Sequence, residues 1–405
     1  VKSVLVYDTG YGVEIAAGLA RQGVKVLYYT PWQRPSPEVV SYAAGLGIVD
    51  RVLTFWDYVD KVDCVAFFDM GMGDAAAWLR RKGRVVFGAG AGERLEQERW
   101  EFRRLQKRLG LPTQDTALVQ GTTELRKYLA THENRFVKLA VFRGSSESFM
   151  ARNLASAELL IQEVEAAFGP LRDEYKFICE AAVEADVETG FDAIFGDGWV
   201  TPTLWGYEFQ KGAYIGEFGN VPKWHQRTMA ALAPVLRKLD YRGPISVEER
   251  VIGESTSVPI DVTARFPFTF SAAYPDWITN FAEVLWNVAQ RKPVVAKPRA
   301  RFVGCLPLES PHAMTHYIKL DFDESLRTKG VRNGCVRLAM GFKVRDAYYA
   351  VKGMPVVYNL VAWGDSVDAV ADTLRRLADK VDACDLVKTT SGLDNILKVR
   401  KRLGW

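Results

Sequence analysis

The chain is poor in the residues that build the commonest metal and nucleophile sites. Four histidines and five cysteines are spread over 405 residues, and no two cysteines stand in a CxxC spacing. No zinc site and no disulfide framework are expected from that pattern. The odd set Cys64, Cys179, Cys305, Cys335 and Cys384 fits reduced, mostly buried thiols and a cytoplasmic location. Long apolar runs are absent, so no membrane span is expected, and the N-terminal stretch lacks the charged-then-apolar pattern of a secretory leader. A large charge of one sign is missing as well. Lys and Arg total 53 against 49 Asp and Glu, a net of +4, which gives no warrant for a nucleic-acid binder. No repeat or low-complexity tract occurs, and no Ser, Cys or His stands out as a nucleophile.

What is present is ordinary soluble-protein composition, 48% hydrophobic and 25% charged, in a chain too long for one core. The opening reads strand, Gly-rich turn, helix, strand: Val1 to Asp8, Thr9-Gly10-Tyr11-Gly12, a helical pattern to Arg21, then Gly23 to Tyr29. That order implies a βαβ unit with a parallel sheet. The turn is either a phosphate grip on helix amides or a plain tight turn. Strands follow at 63–69 and 84–88, with a helix at 75–82 between them. Helices are expected at 95–109, 124–131 (capped by Thr122 or Thr123), 154–168, 225–239 and 276–290. Lys138 sits on the short strand 135–139, directly before the Gly144-Ser145-Ser146 loop. Strand, lysine and small-residue loop suit a phosphate-gripping flap, or else a polar hairpin beside a snorkelling lysine. Lys211 stands in a glycine-rich stretch, read as irregular, that ends Gly216-Glu217-Phe218-Gly219.

The most informative stretch is Tyr241 to Arg265. Two strand-like runs flank a short Gly/Ser/Thr turn, with Glu248 on the first and Asp261 on the second. Facing each other across a hairpin, two carboxylates repel unless a cation sits between them, and Mg²⁺ takes such hard oxygen ligands. Alternation puts Thr263 on the same face as Asp261, and Arg265 two residues further on can reach phosphate oxygens. The alternative is an exposed hairpin with ordinary charges.

These stretches resemble, in order and over nearly the whole chain, the ATP-grasp ligases, and among them the phosphoribosylamine–glycine ligases. Val86-Phe87-Gly88, Leu95-Glu96 and Gly110-Leu111-Pro112-Thr113 are similar to that family's entry into its ATP-binding region. Asp240-Tyr241-Arg242-Gly243-Pro244 resembles its Gly-Tyr-x-Gly, and Ile260-Asp261-Val262-Thr263-Ala264-Arg265-Phe266 its Leu-Glu-Phe-Asn-x-Arg-Phe. The spacing of Glu248 and Asp261 is also that of the metal-binding acids in D-alanine–D-alanine ligase.

The resemblance implies an α/β fold in three parts: a Rossmann-like domain at 1–92, an ATP-grasp domain at 93–295 with a flap at about 113–183, and a closing domain with a basic tail at 296–405. It implies ATP and Mg²⁺ (or Mn²⁺) as cofactors and a small carboxylate and an amine as substrates, joined through an acyl phosphate. Arg99, Lys138 and Gly144-Ser145-Ser146 take the phosphates in this reading. Glu180 and Val183 lie near the adenine, Glu188 holds the ribose, and Glu248, Asp261 and Thr263 hold the metal. Arg265 and Lys211 act at the transferring group. The pattern is broken where substrate specificity resides. The Gly-Gly-Met-Gly loop is replaced by Gly216-Glu217-Phe218-Gly219, putting charge and bulk there, and Asp8 stands in the N-terminal turn. Two further expectations follow: a nucleotide-binding relative without turnover, or a ligase whose substrate is carried on a nucleotide or polymer. The basic tail with Lys398, Arg400, Lys401 and Arg402 offers a nucleic-acid contact, or is a solvated helix end.

Overall fold

The computed structural model describes residues 2–31, 41–140, 148–185, 187–253 and 255–405. Five parallel strands make the first sheet, in the order Asp50–Arg51, Lys25–Tyr29, Ser3–Tyr7, Cys64–Phe67, Val86–Phe87. Ser3–Tyr7 is central because it is apolar on both faces, as a doubly covered parallel strand must be. The two-residue strand at 50–51 is too short to leave a sequence signal.

A second, antiparallel sheet runs Thr116–Gln120, Lys176–Ala181, Arg135–Leu139, Ser148–Ala151. Helices Thr122–Leu129 and Leu154–Phe168 pack on it through Leu125, Leu129, Ala157 and Ile161. The expected threonine cap is not used: Gly121 holds that position at φ 83°, and the Thr122 hydroxyl instead donates to Glu165 at 2.7 Å.

The third sheet has eight strands, ordered Thr256–Thr263, Gly243–Ile252, Val187–Phe195, Leu204–Gln210, Ala213–Phe218, Phe302–Glu309, Val356–Gly364, Gly334–Leu338. It continues without a break across the expected boundary at 295/296. Residues 213–218, expected to be irregular, form a fully buried strand. Glycine misleads there for a packing reason. Gly206 faces Gly216 across the ladder, and a Cβ at Gly206 would meet the Tyr214 side chain at 2.4 Å. The glycines make room for that ring; they do not mark a loop.

Helix Lys223–Lys238 and the terminal helix Gly392–Leu403 cover the back of this sheet. Trp405 packs on Trp205 at 5.3 Å and on Phe302 at 5.9 Å between ring centroids. Arg400 pairs with Asp368 at 2.9 Å, and Arg402 donates to the Gly253 carbonyl. The tail is therefore a docked helix, and the nucleic-acid expectation gains nothing from it. A fourth sheet orders Gly341–Val344, Ala347–Ala350, Ile318–Phe322, Val381–Ala383. Two expected helices are each broken once, at Glu98 and between Trp277 and Phe281. No helix among the described residues is long and apolar enough to cross a membrane.

Buried ion pairs and the bond from the Leu338 amide to Glu14 at 3.3 Å tie the first sheet's helix Val13–Arg21 to the third sheet and the short helices beside it. Glu14 meets Arg327 at 3.0 Å, and Arg337 forks onto Asp276 at 2.7 Å through both nitrogens. Burial alone would raise the Glu14 carboxyl, but Arg327, Arg337 and Arg21 hold it below its usual range. Removing one partner of such a pair strands a buried charge.

Candidate active site

The strands Gly243–Ile252 and Thr256–Thr263 pair antiparallel, with Glu248 opposite Asp261 and Ser246 opposite Thr263. Directly opposed residues share a face, so the two acids and Thr263 project together. The register shifts by one residue just beyond, between Glu248 and Glu249, and a bulge of this kind re-aims neighbouring side chains. Gly190 and Arg250 of the adjoining ladder continue the same face. Glu188 joins it opposite Arg250, and alternation from Gly206 brings Glu208. Gly190 beside Glu248 keeps that part of the floor clear of side chain.

Glu248 is exposed to solvent, with protein packed closely around its carboxylate. That crowding raises its carboxyl to about 8, with Asp261 the next contributor, then Glu208 and Glu188, against Lys211. Glu208, though exposed, is itself raised by desolvation from the protein packed around it, while accepting from the Gly212 amide at 2.9 Å. Deeper in the same face, burial pushes Asp192 up to about 6 against help from Ser246 and Tyr214. Glu208 and Asp192 were not singled out from the sequence. Their common face depends on pairing between distant strands, and only the alternation Glu188, Gly190, Asp192 hinted at it.

Of the expected phosphate and adenosine residues, Lys138 and Glu180 lie on the second sheet and Arg99 beside it. Lys138 lies 3.3 Å from Glu180, and Arg103 pairs with the same carboxylate. Burial would raise Glu180, yet Arg103 and Lys138 hold it below its usual range. Arg99, one helical turn before Arg103, donates to the Leu139 carbonyl at 3.1 Å. Glu180 is thus a buried counter-ion at the base of a cationic cluster, and Arg103 is a member that the sequence reading missed. Arg250 also went unnoticed. It pairs with Glu188 at 2.9 Å and donates to the Val183 carbonyl at 3.1 Å, joining the expected ribose acid to the expected adenine contact. Gly144, Ser145 and Ser146 lie outside the described residues. Lys211 is exposed in the tight turn between Leu204–Gln210 and Ala213–Phe218.

Arg265 turns toward the first sheet. Its guanidinium lies 3.1 Å from Glu96 and 3.5 Å from Asp69. Beside it is a cavity of about 10 Å³ bordered by Asp8, Asp69 and Arg265, about one water's worth. Asp8 does not face an incoming ligand. It is buried, and its Oδ2 accepts from the Gly10 amide at 2.6 Å, the Gly12 amide at 2.8 Å and the Tyr28 hydroxyl at 2.5 Å. Gly12 permits the approach, since a Cβ there would stand 2.7 Å from the Phe68 ring. Burial raises Asp8 to about 6, and Asp69 adds to the rise. The amides expected to grip a phosphate are thereby occupied by the chain's own carboxylate. Glu217 is likewise corrected. It is buried on the opposite face from Gly216, held by Arg301 at 2.9 Å and Asn220 at 2.6 Å, and brings no charge to the acid cluster.

The chain has the ATP-grasp fold: a parallel N-terminal sheet, an antiparallel flap and a large antiparallel sheet presenting paired acids. Among solved structures it is similar to phosphoribosylamine–glycine ligase from Thermotoga maritima, with a TM-score of 0.71 at 14% identity, covering 96% of this chain and 98% of that one. The biotin carboxylase domain of Hydrogenobacter thermophilus 2-oxoglutarate carboxylase, solved with MgADP and bicarbonate, gives 0.70 at 14% over 100% and 95%. N5-carboxyaminoimidazole ribonucleotide synthetase from Thermus thermophilus gives 0.64 at 15% over 93% and 98%. No protein-family model and no curated protein matches the sequence.

Proposed function

We propose that the protein is an ATP-dependent ligase that activates a small carboxylate as an acyl phosphate and passes it to an amine. The observation that carries this reading is the register pair Glu248–Asp261 on a face shared with Glu188 and Glu208. All of these donors are carboxylate oxygens and their charge is in excess, which fits a hard divalent cation, Mg²⁺ or Mn²⁺. Glu248 and Asp261 would hold the ion, with Thr263 within the same face. When bound, the metal screens the charge that builds up on transferring phosphate oxygens.

The rest of the chemistry is positioning by the chain's own groups. Lys138 and Arg99 orient the phosphates, with Arg103 and Glu180 setting the angle of Lys138 from below. Arg265, braced by Glu96 and Asp69, steadies the group being transferred, and Lys211 lies at the rim of the acid cluster. A carboxylate oxygen of the substrate attacks the terminal phosphorus and ADP leaves. The amine then attacks the acyl carbon and phosphate leaves, its proton passing to solvent or a nearby base.

The experiment is ADP and phosphate release with ATP and Mg²⁺ across a panel of small acids and amines. Release that requires both an acid and an amine is the expected outcome. A second reading, nucleotide binding without turnover, rests on the substituted motif positions, with Asp261 and Thr263 standing where the resembled family has Glu and Asn. Mg²⁺-dependent ATP binding with no release for any pair would select it.

A further inference from the structure

We propose that His312, Cys384 and Asp385 form a second metal site, on elements separate from the strands of Glu248 and Asp261, selective for a borderline-soft divalent ion of the Zn²⁺ type. One donor atom from each residue lies within 4.8 Å of the others. Tetrahedral zinc, with bonds of roughly 2.0–2.3 Å, sets its donors roughly 3.5 Å apart. Cys384 and Asp385 are exposed and His312 is half-buried, so rotation of the Cys384 and Asp385 side chains closes that gap. Thiolate, imidazole and carboxylate together select Zn²⁺ over Mg²⁺, which prefers oxygen alone. The two sites therefore sort different ions.

The backbone holds these donors together without help from an ion. The Ser310 hydroxyl, on a fully buried residue, donates to the Cys384 carbonyl at 2.6 Å, and the Val387 amide donates to the Glu309 carbonyl at 2.8 Å. These bonds fasten the segment Pro311–Met314 to the bend after Val381–Ala383. Asp385 has φ 51°, a left-handed conformation that aspartate tolerates. It breaks the alternation that would otherwise send Cys384 and Asp385 to opposite sides. His316, four residues after His312, stacks on it with ring centroids 4.2 Å apart and can swing in as the fourth ligand. His312 and His316 stand at a zinc-ligand spacing, but the sequence does not bring Cys384 to them, because it comes from a remote segment.

Cobalt(II) titration of the whole protein under reducing conditions provides the test. A thiolate bound to Co²⁺ gives a near-ultraviolet charge-transfer band that oxygen ligands at the acid cluster cannot produce. The other four cysteines are buried, and burial pushes the thiols of Cys64, Cys179 and Cys335 up to about 12, which leaves Cys384 as the available sulfur. The expected result is one equivalent of Co²⁺ with the near-ultraviolet band, displaced by Zn²⁺. Cys384→Ser should abolish the band while the far-ultraviolet circular dichroism is unchanged. His312→Ala and Asp385→Asn should each weaken binding by at least about tenfold, the scale on which even groups one step from a metal act. Absence of the band in the wild type, its survival in Cys384→Ser, or unchanged affinity in both other variants would overturn the proposal.

Discussion

Glu248 and Asp261 face each other across one antiparallel ladder, and the register slips by a residue immediately beyond them. Their like charges reinforce each other, and Lys211 offsets part of that repulsion at Glu248. Asp261→Asn should therefore remove the metal-dependent turnover, by at least about a hundredfold if the ion supplies several kcal/mol to charge stabilisation. The fold should survive, since Asp261 is only half-buried on an edge strand. ADP release with and without a chelator checks this, and wild-type rates in the variant would dispose of the metal assignment.

Lys138→Ala should raise the ATP concentration needed for half-maximal release by roughly tenfold to a hundredfold, the equivalent of about 1.5–3 kcal/mol for a charge-assisted contact. Glu180 retains Arg103 in that variant, so the buried carboxylate is not stranded and the stability loss should be small. An unchanged ATP dependence would reduce Lys138 to a structural counter-ion.

Arg250→Ala should free Glu188 and the Val183 carbonyl. The pair is partly exposed, so its loss should cost less than about 1 kcal/mol of stability. Nucleotide affinity, measured by calorimetry with an unreactive ATP analogue and Mg²⁺, should hold or rise. A marked fall would mean that Arg250 is itself a nucleotide contact.

Asp8 gives a pH signature. Its folded-state value of about 6 lies above the unfolded value of 3.8, so the folded protein binds this proton more tightly. The resulting stability is fully present below about pH 4 and is lost as the pH climbs to about 6, a change of about 3 kcal/mol by linkage. All three donors converge on a single oxygen, so Asn can keep them while carrying no charge. Relative to the wild type, Asp8→Asn should gain stability as the pH rises from 4 to 7 in urea titrations. A constant difference across that range would show that Asp8 titrates normally.

Glycine with phosphoribosylamine should be a poor substrate pair. A phosphosugar needs donors at the N-terminal turn, and the Gly10 and Gly12 amides there already serve Asp8. Displacing a buried, triply bonded carboxylate costs roughly a few kcal/mol. Product formation with that pair, beside the wider panel, decides the matter, and efficient conversion would contradict the prediction.

The parts of this site legible in the sequence are those governed by local rules. A hairpin signal and period-two alternation suffice to put Asp261 and Thr263 on one face and to offer Glu248 as their neighbour, which the register then supplies. The βαβ opening is legible for the same reason, as apolar runs, glycine and helix periodicity lie within thirty residues. What could not be read depends on pairing between distant segments. Arg103 reaches Glu180 from another sheet's flank, Arg250 meets Glu188 across a ladder, and Glu208 joins the acids through two strand pairings. Glu217 shows the limit most plainly: without the register, nothing tells which side of the strand it takes. Asp8 is visible in the turn but its orientation is not, because whether a carboxylate there faces outward or satisfies its own amides is decided by the Tyr28 hydroxyl one strand away.

The unbroken eight-stranded sheet also governs how the molecule can be divided. Severing the chain between residues 290 and 300 would not release two tidy modules. It would bare the ladder edge of Ala213–Phe218, which Phe302–Glu309 normally occupies, and strip Trp405 from Trp205. A bared edge of a strand that is buried along its whole length is a template for pairing with other chains. Fragments ending there should clump rather than fold, so any study of nucleotide binding must carry the chain through Val356–Gly364 and on to Trp405.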